Sequence, residues 1–108
     1  MKPDQRQLKQ QELHRQRLEM LEQEVQANPG DPFNHYALAL ELLTADPSKS
    51  LNKLLSTMQH FPNYVPTYYQ AAQVLIGLGQ EQEAIEVLKK GISTATQQSD
   101  HKAAGELR

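Results

Sequence analysis

The residues of this chain best suited to holding a metal or moving a proton are four histidines, His14, His35, His60 and His101. Their spacing argues against both roles. None forms an i, i+4 pair or stands in a His-Glu-x-x-His run, the arrangements that put two imidazoles on one helix face at ligand distance. His35 reads as a half-buried packing residue. With no cysteine, thiolate metal sites, disulfides and cysteine catalysis are excluded. The carboxylates Glu41, Asp46, Glu81, Glu83 and Glu86 fall mostly on polar helix faces or in turns, where a solvated surface explains them better than a general acid-base pair in a cleft. Gly77-Leu78-Gly79-Gln80 superficially suggests a phosphate loop, but no strand precedes it and no Gly-Lys-Ser/Thr follows, so it reads as a helix stop. The expectation is a protein that is not an enzyme and that carries no cofactor and no metal.

Composition points the same way. The chain has 108 residues, 38% hydrophobic and 22% charged, with 11 Lys+Arg against 13 Asp+Glu. Such a balance generates no field that would draw the molecule onto nucleic acid or an anionic membrane. Lys2, Arg6, Lys9, Arg15 and Arg17 form a mildly basic arm, but Asp4, Glu12 and several Gln are interspersed and aromatic residues for stacking are missing, so it reads as a solvated helix surface. No apolar run approaches the roughly twenty residues of a membrane span. The polar start Met1-Lys2-Pro3-Asp4-Gln5-Arg6-Gln7 lacks a signal-peptide core, and a cytoplasmic location is expected.

The elements are all helical. Residues 1–27 are rich in Gln, Lys, Arg and Glu, without Gly and without Pro after Pro3, and predict one long polar helix with a narrow stripe at Leu18, Leu21 and Val25; before Leu13 it has only Leu8 and is free to fray. Asn28-Pro29-Gly30-Asp31-Pro32 ends it, Asp31 being a cap followed by proline at the first position of the next helix. That helix runs to Thr44 and is apolar around much of its girth, with Phe33, Tyr36, Leu40 and Leu43 on one side and Leu38, Ala39 and Leu42 on another. Asp46-Pro47 opens a third on Leu51, Leu54, Leu55 and Met58, ending near Phe61-Pro62. A fourth spans about Val65 to Leu78, and a fifth begins at Gln80 on Ala84, Ile85, Leu88 and Ile92. Ser99-Asp100 looks like the cap of a last short helix ending at Arg108.

An internal repeat organises these helices. Leu18, Leu51 and Ile85 are equivalent, as are Leu21, Leu54 and Leu88, and Val25, Met58 and Ile92, at spacings of 33 and then 34 residues. This helix-turn-helix period resembles the tetratricopeptide repeat. The second unit carries the resemblance in Tyr68, Ala71-Ala72, Leu75, Gly79, Ala84 and Leu88, although Thr96 replaces the closing proline. The first carries it in His35, Leu38-Ala39, Leu42, Ser50, Leu54 and Pro62, with one residue deleted in the turn at Ala45-Asp46-Pro47. The segments around Asp31-Pro32-Phe33 and Tyr64-Val65-Pro66 also look like a group of small bacterial tetratricopeptide proteins.

The resemblance implies a right-handed α-solenoid of antiparallel helix pairs: a half-repeat helix at 1–27, pairs at 28–61 and 62–98, and a capping helix at 99–108. Ala39, Ala72 and Ala84 would stand at close helix crossings, with Leu54, Leu88, Met58 and Ile92 filling the layers between pairs. The first helix of each pair would line a concave face, here Phe33, Tyr36, Leu40, Leu43, Pro66, Tyr69, Gln73 and Ile76. Such a face implies an apolar groove for a peptide or helix of a protein partner, with Tyr36 and Tyr69 as anchors. The carboxylate-gripping Asn of some family members is replaced by Leu40 and Gln73, so a chaperone-tail clamp is not expected. The other reading is structural, with the face covered by the N-terminal helix or by a second copy in a homodimer.

Overall fold

The computed structural model describes residues 4–106, with side chains described through residue 99. Among these residues there are five helices and no strand: α1 (Gln5–Ala27), α2 (Pro32–Leu43), α3 (Pro47–His60), α4 (Pro66–Gly77) and α5 (Glu81–Glu106). The protein is all-α. None of its described helices is long and apolar enough to cross a membrane. Two compact units divide the chain between Lys53 and Leu54, inside α3.

In the first unit, α1 starts at Gln5 because Asp4 closes it reciprocally. The Asp4 carboxylate accepts from the Gln7 amide at 2.8 Å while the Gln7 side chain accepts from the Asp4 amide at 3.1 Å. Two otherwise unpaired N–H groups are satisfied, which fixes the helix start that weak apolar patterning left open. The stripe Leu18, Leu21, Val25 is half-buried, and no α1 residue is fully buried. At α2, Asp31 caps the Phe33 amide at 3.0 Å and Pro32 supplies a preset first turn. Asp46 does the same for α3, accepting from the Lys49 amide at 3.1 Å. α1 packs on α2. The buried positions of this unit are Leu38 and Ala39 on α2 and Ser50 and Leu51 on α3. Ser50, fully buried, donates its hydroxyl to the Ala39 carbonyl at 2.7 Å. The small Ala39 leaves room for that approach.

The second unit has the larger core. α4 buries Thr67, Tyr68, Ala71, Ala72, Val74 and Leu75, and α5 buries Ala84, Val87 and Gly91 against it. α4 stops where Gly79 takes a left-handed conformation, φ 78°, with the Gln80 amide bonded to the Leu75 carbonyl and the Gly79 amide to that of Ile76. This paired closure is the glycine-dependent helix stop that Gly77-Leu78-Gly79 predicts.

Two expectations fail here. α5 does not break at Ser99-Asp100: one helix continues to Glu106, while Leu107 and Arg108 lie outside the described residues. Ser and Asp cap a helix only where the chain already has a reason to turn, and residues 92–103 contain neither Gly nor Pro. Ile92 does not fill a layer; it is 56% exposed, as Ile85 is at 44%, because α5 turns Ala84, Val87 and Gly91 toward α4. Leu88 and Met58 are half-buried and Leu54 is fully buried.

Candidate functional site

The residues expected to line a binding face divide by helix and by exposure. On α2, Phe33 and Leu40 stand two helical turns apart and are 58% and 37% exposed, with Tyr36 and Leu43 half-buried between and beyond them. On α4, Tyr69 and Ile76 hold the same seven-residue relation at 40% and 52% exposure, and Pro66 and Gln73 are exposed with them. On α4 the buried side begins directly beside this strip, since the buried Ala72 lies three residues after Tyr69 and four before Ile76, and on α2 Leu38 and Ala39 are buried while Ala37 is half-buried. Each helix presents an outward apolar strip whose residues stay wet although they are among the largest apolar groups in the chain. Tyr36 departs from its expected role as a protruding anchor, since its ring is half-buried.

Leu40 also lines an open cleft of about 730 Å³ in the first unit, together with Gln10, Gln11, His14, Arg17 and Thr44. At its floor is Glu41. One of its carboxylate oxygens accepts from His14 Nδ1 at 2.8 Å and from Arg17 Nε at 2.9 Å, linking α1 to α2. Burial alone would raise the Glu41 pKa, but the hydrogen bonds from His14 and Arg17 outweigh it and hold the carboxyl below its ordinary range. A carboxylate held in this way is an anchor rather than a free base. On the outer side of α1, Arg15 bridges Glu12 and Glu19, and its hydrogen bond lowers the pKa of Glu12. These groups are exposed and contribute little to stability. In the second unit a shallow hollow of about 400 Å³ opens beside Tyr68, Lys90, Ser93 and Gln97.

His35 is half-buried, as expected, but its ring does more than pack. Nε2 lies 2.7 Å from the Pro29 carbonyl and Nδ1 lies 2.8 Å from Lys53 Nζ. Loss of solvent around Lys53 lowers its pKa. His60 Nδ1 donates to the Ser56 carbonyl at 2.8 Å, and the His101 side chain lies outside the described residues.

Three residues escaped the sequence reading. Glu41 looked like solvated surface; the signal that could have found it is His14 and Arg17 on α1, one turn before the apolar stripe. Lys53 gave no sign, because its partner is 18 residues away. Gly91 was visible as a mid-helix glycine, a residue that costs helix stability and so calls for a packing reason. No protein-family model matches the chain, and no curated protein matches it.

Proposed function

We propose that this protein is a small tetratricopeptide-like interaction module without catalysis of its own, which binds a peptide or helix of a protein partner through the apolar strips of α2 and α4, the residues that would line a concave groove in such an array. The observation that carries the reading is the paired exposure of Phe33 with Leu40 and of Tyr69 with Ile76. Both pairs lie on first helices of the repeat, beside buried residues of the same helix, and keep a large part of their apolar surface in water. Large aromatic and aliphatic groups presented in this way are the usual anchors of helix and peptide recognition. The bacterial likeness and a cytoplasmic setting belong to the same reading.

The test is partner capture from a native lysate on the wild-type protein and on Tyr69→Glu and Phe33→Glu variants, each checked for unchanged helicity by circular dichroism. Both positions are exposed, so the variants should fold, and each should lose the specific partner. Equal capture by a folded variant removes the strips from the binding surface. Exposure of Ile85 and Ile92 on α5 favours a second reading, homo-oligomerisation through helix faces. A solution mass that doubles with concentration and falls back to one chain in an Ile85→Glu/Ile92→Glu variant would select it.

A further inference from the structure

We infer that Lys53 is a nucleophilic amine, a site for N-acylation by small thioesters, with His35 as its proton acceptor and the Pro29 carbonyl as the group that orients His35. The tautomer follows from chemistry alone. A carbonyl oxygen can only accept, so the 2.7 Å contact to Pro29 puts the imidazole hydrogen on Nε2. A lysine ammonium can only donate, so the 2.8 Å contact puts the lone pair of His35 on Nδ1, aimed at Lys53 Nζ. A nucleophile, a base within hydrogen-bond reach and a third group fixing the base form the arrangement that activates side-chain nucleophiles. The hydrogen bond to His35 favours the ammonium form; desolvation disfavours it and lowers the Lys53 pKa. Lys53 is nevertheless only half-buried, so a small acyl donor can reach it.

The step balances as follows. The Lys53 ammonium passes one proton along the existing hydrogen bond to His35 Nδ1, and the imidazolium releases it to water. The amine lone pair then forms a C–N bond at the thioester carbonyl, the C–S bond breaks, and the thiolate leaves with the second proton lost by nitrogen. The products are an amide on Lys53, a free thiol and one proton. Acylation removes the cation and leaves a single amide N–H as the donor to His35 Nδ1.

The experiment incubates the intact protein with acetyl-coenzyme A near neutral pH and follows each lysine by peptide mass spectrometry. Lys49, one turn earlier on α3 and exposed, and Lys90, exposed on α5, serve as internal references. Lys53 should be acetylated severalfold faster than both despite being less accessible. In His35→Gln, which keeps a donor for Pro29 and lacks the basic nitrogen, its rate should fall to that of Lys49. A wild-type rate for Lys53 at or below that of Lys49 overturns the proposal, and so does an unchanged rate in the folded variant. Should His35→Gln not fold, the wild-type pH profile decides: the Lys53 rate should level off at lower pH than the Lys49 rate, and parallel profiles would refute it.

Discussion

At Gly91 a side chain has nowhere to go. A Cβ built there would stand 2.7 Å from the Cβ of Tyr68, whose hydroxyl is tied to the Pro62 carbonyl at 2.7 Å, so the ring is not free to move aside. Gly91→Ala should therefore destabilise the second unit: the steric cost of about 1–3 kcal/mol exceeds the helix-propensity gain of about 1 kcal/mol, and the urea midpoint should fall. Thr67 is the opposite case. Its hydroxyl is fully buried and makes no hydrogen bond, so the fold carries its desolvation without return. Thr67→Val keeps the branched shape, and denaturant melts should find it neutral or up to about 1 kcal/mol more stable. A clear loss would show that the hydroxyl has a partner. Neither effect is legible from one sequence. The mid-helix glycine announces that some neighbour comes close but not that it is Tyr68, and a threonine in an amphipathic pattern looks alike whether its hydroxyl is satisfied or not.

Helix ends were the most readable elements, because capping is local chemistry. Asp31-Pro32, Asp46-Pro47 and Gly79 all act where their residue types predict. Ser99-Asp100 misled for a related reason: the same local chemistry is permissive, and no breaker forces the chain to use it. Pairing between helices is another matter, since periodicity tells which side of α1 is apolar but not that Glu41 of α2 waits beside it. That link has a pH signature. A carboxyl whose pKa is lowered on folding stabilises the fold above its unfolded value of about 4.3, and the contribution is lost as pH falls through the lower folded value. Protection of the α1 amides in hydrogen exchange should accordingly weaken below about pH 4. Glu41→Gln should weaken it already at neutral pH, by about 1–2 kcal/mol, and should flatten the acid dependence. Arg17 is half exposed, so most of the effect belongs to the more sheltered His14–Glu41 contact.

For the whole molecule, the all-helical class and the alternation of short apolar helices with capped turns followed from composition and spacing. Of the residues that the resemblance places on a lining face, Phe33, Leu40, Tyr69 and Ile76 are exposed, whereas Tyr36 and Leu43 are half-buried. The reach of the last apolar stripe did not follow from spacing, because the repeat assigns Ile85 and Ile92 the same role as Leu18 and Val25 while α5 leaves them wet. A period says which residues are equivalent, but burial depends on whether a neighbour is there to cover them. α1 carries that lesson in another form. With no fully buried residue, it is held by a capping box, three half-buried aliphatic side chains and one shared carboxylate. Selection for the fold therefore sees only a few of its letters. Over generations the rest of that helix is free to drift, so its sequence should diversify faster than those of α2 and α4, and whatever does stay fixed on its outer side would have been kept by something other than folding.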